Sequence, residues 1–292
     1  MALDKSVAHN VVDVLDRIVS HQVVRPTNSA MRHLVAVLAL LIGTALSAEF
    51  DPHKGPAPVV VLMTNDPWAQ VIGSDTPRLV AYDDGTVIYQ REQNKIPGLW
   101  AAHLTPDGLS KLVDIARPLL RLPGLQRHYD LAPGVTDQPT TTLFISEKEV
   151  TKVVGVYGLT AQGRSFREHI EGEEPPPPEF MKAFKALCEY LVADAKPWVP
   201  PYIEVMLWGY EYAPDASIVW PSNWPKLDSP RTRKRGDSLY IFLDGTELQT
   251  LRDFIATRKE KGAVEVAGRK FAIDYRYTFP SEPIWMAAFR KR

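Results

Sequence analysis

The sequence predicts an α+β fold, mainly antiparallel sheet built from hairpins with three main helices packed on it. Three observations carry this reading. Asp83-Asp84-Gly85, Glu147-Lys148-Glu149 and Ala267-Gly268-Arg269 each separate two short runs rich in β-branched and aromatic residues, the pattern of a hairpin. Stretches around Leu112, Phe184 and Leu251 repeat apolar residues at helical spacing. The element order is strands, helix, strands, helix, strand, then strand, helix, strands, which lacks the strict alternation of a doubly wound parallel sheet.

The chain starts with two segments that stand apart from this fold. Met31-Arg32-His33 precedes the apolar run Leu34–Ile42 and the small residues Gly43-Thr44-Ala45-Leu46-Ser47-Ala48. A basic head, a short apolar stretch and a small-residue end form the pattern of a secretory signal peptide, with cleavage expected after Ser47 or Ala48. A membrane anchor needs about 20 apolar residues, and this run stops well short. An amphipathic core helix would carry a polar face, which Leu34–Ile42 lacks. Residues 1–30 precede the basic head and read as an over-long N-terminal extension, with Met31 as the expected start. No Cys directly follows the run, so a lipid anchor has no attachment point.

Residues 51–58 are Pro-rich and extended, and 59–63 form a buried strand. The runs 78–82 and 86–90 make the first hairpin, and 100–104 a further strand. Thr105-Pro106-Asp107-Gly108 opens a helix: Thr caps free N–H groups, Pro suits the first helical position and Asp suits the positive dipole end. Leu109, Leu112, Val113, Ala116 and Leu120 form its inner face, and Pro118 and Pro123-Gly124 end it. The second hairpin pairs 140–146 with 150–157. An acidic, Pro-rich loop at 171–178 leads into a helix whose apolar face holds Phe180, Phe184, Leu187, Cys188 and Leu191. Residues 202–208 form a strand, and 210–236 is broken by prolines and glycines. A strand at 239–243 turns through Asp244-Gly245 into a helix reaching Arg258, with Thr246 and Gln249 spaced as a capping box. The closing hairpin pairs 263–266 with 270–277. The expected organisation is an α+β lobe over 49–209, an irregular Trp/Pro-rich connector over 210–236 and a smaller β-α-β-β lobe over 237–292.

Composition excludes some functions. The formal net charge of −1 changes little when residues 1–48 are removed, so nothing points to a nucleic-acid partner, whose binding rests on phosphate neutralisation. With Cys188 as the single cysteine the chain has no internal disulfide and no thiolate zinc cluster, and Cys188 reads as a buried small hydrophobe. The motifs G-x-S-x-G, S-x-x-K, H-E-x-x-H, G-x-G-x-x-G and the Walker loop are absent. No cofactor or metal is implied.

Several residues remain as candidates for chemistry. His103, His128 and His169 each have a carboxylate nearby in sequence (Asp107, Asp130, Glu168), the residue types of an acid–base pair, although their positions at a strand end, in a loop and before an acidic loop favour ordinary surface histidines. Ser165 lacks a matching base. Asp83-Asp84 is explained by the turn, and Glu171, Glu173 and Glu174 lack calcium-loop spacing. Arg231-Thr232-Arg233-Lys234-Arg235 reads as a flexible, solvated basic loop. Trp208, Trp220 and Trp224, clustered with Tyr202, Tyr210 and Tyr212, are the candidate binding residues, although core packing explains them as well. Period-two alternation places Tyr202, Glu204, Met206, Trp208 and Tyr210 on one strand face, and Glu204 suggests that this face is partly exposed.

The segments Pro77–Ile88, Leu104–Leu109, Val135–Thr142, Trp220-Pro221 with Trp224-Pro225, and Tyr275–Glu282 resemble those of uncharacterised secreted bacterial proteins. This resemblance implies export and transfers no functional residue. Two function classes stay open. The first is a non-catalytic exported module that binds a cell-envelope or extracellular ligand through the aromatic stretch 202–224, secreted or periplasmic and without a transmembrane anchor. The second is an exported hydrolase with a His/carboxylate site.

Overall fold

Fourteen strands and four helices make up the described part of the chain, which in this computed structural model is residues 50–68, 76–93, 96–160 and 174–290. The expected signal segment, Ser165 and His169 lie outside the described residues. One sheet has eight strands: β1 (Pro58–Asn65), β2 (Leu79–Tyr82), β3 (Thr86–Gln93), β4 (Ile96–His103), β5 (His128–Asp130), β6 (Thr140–Glu147), β7 (Val150–Tyr157) and β8 (Lys196–Pro197), in the order β5-β7-β6-β1-β2-β3-β4-β8. The other has six: β9 (Tyr202–Gly209), β10 (Asp215–Val219), β11 (Thr232–Arg235), β12 (Ser238–Asp244), β13 (Gly262–Val266) and β14 (Arg269–Tyr277), in the order β10-β13-β14-β9-β12-β11. The helices are α1 (Pro106–Arg121), α2 (Pro178–Cys188), α3 (Leu248–Ala256) and α4 (Glu282–Arg290).

The fold is mainly sheet, but the sequence-based description needs two corrections. Both sheets are mixed, because β5 runs parallel to β7 and β10 parallel to β13. There are four main helices rather than three. The fourth, α4, buries Trp285 completely, and its first turn holds Glu282 and Pro283. A further correction concerns 210–236. This stretch supplies β10 and β11 to the second sheet, so it is not an irregular connector. Strand β9, expected in the first lobe, lies inside that same sheet between β14 and β12.

Local chemistry explains the elements that were foreseen. The Thr105 hydroxyl accepts from the Gly108 N–H at 3.1 Å and caps α1. Pro118 lies inside α1 and does not end it. Leu119, fully buried one residue on, holds the last turn against the core despite the lost backbone bond. Gly85 takes φ +92° in the first hairpin turn, a conformation that side chains resist. The capping box at Thr246 does not form. Residues Gly245–Glu247 make a single 3₁₀ turn, the helix starts at Leu248, and Gln249 donates instead to Asp253.

The eight-stranded sheet is covered on both faces. Val60, Leu62, Ala81, Val87, Leu143 and Val156 pack under α1 and α2 with Leu112, Leu119, Phe180 and Phe184. The alternate residues Val61, Val80, Tyr82, Ile88 and Phe144 pack against Phe279 and Trp285. Burial on both faces explains why these strands read as continuous apolar runs. One face of the six-stranded sheet is equally apolar: Ile203, Val205, Leu207, Ile241, Leu243 and Ile273 meet Leu251, Trp220 and Trp224. Its other face is charged.

Candidate functional site

The charged face follows from strand register. Glu204 on β9 stands opposite Phe242 on β12 and Arg276 on β14. Met206 stands opposite Tyr240 and Asp274, and Tyr240 in turn opposite Arg233 on β11. Directly paired residues share a face, so Arg233 and Arg235 of β11 join Tyr240, Met206 and Glu204 in one patch. Helix α4 and residues 50–55 border this patch. Together they enclose a cleft of about 490 Å³ lined by His53, Glu204, Met206, Arg235, Tyr240, Arg276, Glu282, Pro283, Met286, Ala287 and Arg290. That volume is in the usual range for a small-molecule site.

The wall of the cleft is an ion network buried in the fold. Glu204 itself is 1% exposed, while Tyr202, Met206 and Trp208 on the same strand face are half-buried, so the face is partly exposed as expected but its carboxylate is not. Its burial is compensated by Arg276, which donates from Nε at 2.6 Å and approaches again through Nη2. Arg276 Nη1 pairs with Glu282 Oε1 in the first turn of α4. Glu282 Oε2 accepts the Phe279 backbone N–H at 3.3 Å and lies 3.5 Å from His53 Nδ1. His53 Nδ1 is also 3.1 Å from the Phe279 carbonyl. A carbonyl only accepts, so Nδ1 carries the proton and the ring is held in one orientation. The network ties β9 and β14 to α4 and to residues 50–55.

Arg235 is the outward-facing member. Its Nη1 lies 2.8 Å from Glu204 Oε1, and its guanidinium lies 4.5 Å over the Tyr240 ring. The carboxylate pairs with it by charge alone, since Glu204 Oε1 accepts no well-aligned hydrogen bond among the described residues, and the Tyr240 face supports the guanidinium while its remaining N–H groups stay open to the cleft. Arg290, exposed in the last turn of α4, has no hydrogen-bond or ion-pair partner among the described residues. Met206, Met286, Pro283 and Ala287 supply an apolar lining.

Compared with known proteins, the chain matches no protein family, no curated protein and no solved structure. The cleft is therefore read from its own chemistry.

Of the residues singled out in the sequence, Glu204, Met206 and Arg235 line the cleft, and the candidate tryptophans and histidines do not. Trp220 and Trp224 are core residues, 6% and 4% exposed, stacked edge to face at 4.8 Å and each packed on Phe254. Their indole N–H groups donate inward, to Pro225 O and Glu247 Oε2. Trp208 is half-buried on the opposite face of the sheet from these two, so the three tryptophans form no common binding surface. His103 and His128 are exposed and are not among the residues that line the cleft. Asp83 and Asp84 accept from Ala57 N and from Thr86 N, and so serve the turn. Among the described residues no group of three His, Cys, Asp or Glu side chains is placed to hold a metal ion. No described helix is long and apolar enough to cross a membrane. Cys188 is partly buried against the first core, and burial raises its thiol pKa against the opposing pull of Arg78.

The basic run is the largest surprise. It is an edge strand, not a flexible loop. Arg231 pairs with Asp244 at 2.9 Å and lies over Phe50 and Tyr202, Arg233 donates to Phe50 O, and Arg235 meets Glu204. Its period-two spacing of arginines was the available signal: Arg231, Arg233 and Arg235 alternate with Thr232 and Lys234, as on one face of a strand.

Proposed function

We propose that this chain is an exported, non-catalytic binding module whose small-molecule ligand enters the cleft between the charged face of the six-stranded sheet and α4. The observation that carries the reading is Arg235: a guanidinium anchored by a buried carboxylate and stacked on Tyr240, with unused donors turned to a cleft of ligand size. Such preorganisation lowers the ordering cost of binding. The signal-like stretch 31–48 supports export, to the periplasm or beyond the cell.

A hydrolytic reading has one observation in its favour, the buried His53–Glu282 pair at 3.5 Å in the same cleft. Against it, Tyr240 is the only hydroxyl among the lining residues, and no serine, threonine or cysteine nucleophile joins them.

Two measurements test the proposal. N-terminal sequencing of protein recovered from the periplasm or medium is expected to begin at Ala48 or Glu49; recovery of the unprocessed chain from the cytoplasm alone contradicts export. Native mass spectrometry of the exported protein is expected to show a retained small molecule that Ala287→Trp, which fills the cleft, abolishes. Retention unaffected by Ala287→Trp contradicts the cleft as the site.

A further inference from the structure

The charges of the cleft-lining residues do not balance. The carboxylates of Glu204 and Glu282 face three guanidinium groups, those of Arg235, Arg276 and Arg290. Arg276 is spent on both carboxylates, and Arg235 covers the remaining oxygen of Glu204. Among the described residues Arg290 is then uncompensated, and Arg235, also in the lining, keeps free donors. The same lining holds Met206 and Met286, flexible thioethers suited to irregular apolar shapes. From this we infer the ligand class: a small amphipathic monoanion, with a carboxylate, sulfate or phosphate-ester head held between Arg235 and Arg290 and a short apolar body laid along Met206, Met286 and Pro283. The inference rests on the binding-module reading above.

Each element of the cleft has a separate task in this arrangement. The Glu204 charge and the Tyr240 ring hold the Arg235 guanidinium at the cleft wall, where it meets the head. Arg290 also suits the negative end of α4, and it has no partner among the described residues. The methionines reward an apolar body and not a bare ion. A free inorganic anion therefore finds charge but no burial, and a neutral amphiphile finds burial but no charge.

Isothermal titration at low salt with octanoate, acetate, inorganic phosphate and the neutral octyl glucoside separates these cases. Octanoate is expected to bind, with affinity falling as salt is added, and the other three to bind at least about tenfold more weakly. Arg290→Ala and Arg235→Lys are each expected to weaken octanoate roughly tenfold. Thermal unfolding of Arg235→Lys should stay near wild type, since Lys keeps a positive charge beside Glu204. Equal binding of octyl glucoside, blocked by Ala287→Trp, overturns the anion inference and leaves the binding module standing. Equal binding of acetate or phosphate overturns the amphipathic part. No binding of octanoate, or octanoate binding indifferent to both arginine variants, overturns the inference outright. Octyl phosphate, free and in phosphatidylcholine vesicles, then distinguishes a soluble ligand from a lipid headgroup: preference for the vesicles assigns the head to a membrane lipid.

Discussion

Replacing Glu204 by Ala probes the buried network behind the cleft. The carboxylate is 1% exposed and Arg276, its main partner, has a side chain 14% exposed. Removing one member of such a pair leaves a buried charge uncompensated, at a cost of about 3–5 kcal/mol. Two features place this case at the lower end. Arg276 retains Glu282 through Nη1, and Arg235, 45% exposed, rehydrates when its anchor is lost. A loss of about 3 kcal/mol follows, equivalent to a fall in Tm of roughly 6–12 °C for a domain of this size. Urea unfolding followed by circular dichroism reads it, together with Arg276→Ala and the double variant. Because both side chains leave together in the double variant, its loss should fall short of the sum of the singles by roughly 1–3 kcal/mol. A Glu204→Ala loss below about 1 kcal/mol, or strict additivity, refutes the claim that the network is desolvated and coupled.

Other residues give independent tests. Gly245→Ala brings a Cβ within 1.6 Å of the Pro200 carbonyl oxygen, so the strand-to-helix turn cannot form; a soluble variant that melts like wild type contradicts this contact. Tyr82 carries a fully buried hydroxyl with no partner among the described residues, and burial raises its pKa far above the usual tyrosine value. Tyr82→Phe should therefore leave stability unchanged or raise it by up to about 1 kcal/mol in urea unfolding, and a larger loss would reveal a partner for the hydroxyl. The Cys188 thiol, its pKa raised chiefly by burial, holds less thiolate at pH 8 than a free cysteine. Iodoacetamide should modify it more slowly in the native protein than in urea, and equal rates contradict its burial.

Much of the fold was legible because its signals are local. The Thr105 cap, the Asp83-Asp84-Gly85 turn and the period-two runs flanking it each act within a few residues, and each appears in place. The missing elements depend on distant partners. His128-Tyr129-Asp130 becomes a strand only because β7 offers it a free parallel edge, and Asp215–Val219 only because β13 does. Helix α4 was hidden by its unusual start, since α3 is equally short and was foreseen. Its start falls in Ser281-Glu282-Pro283, where Ser281 has positive φ instead of acting as an ordinary cap. The site was hidden for the same reason as these strands. Glu204 sits in an apolar alternation that says nothing of Arg276, 72 residues away, and His53 lies in a Pro-rich stretch with no pattern of its own. The tryptophans misled because residue type reports a capacity for stacking, not the face of the sheet on which it is used.

The most direct test of the cleft is a titration of methyl-labelled methionine by NMR with octanoate. Met206 and Met286 line the cleft, whereas Met63 and Met181 pack with the eight-stranded sheet and α2. Concerted shifts of the Met206 and Met286 methyls, saturating with ligand and absent in Arg290→Ala at the same concentration, are the predicted result. Shifts at Met63 or Met181 with Met206 and Met286 unmoved would contradict it.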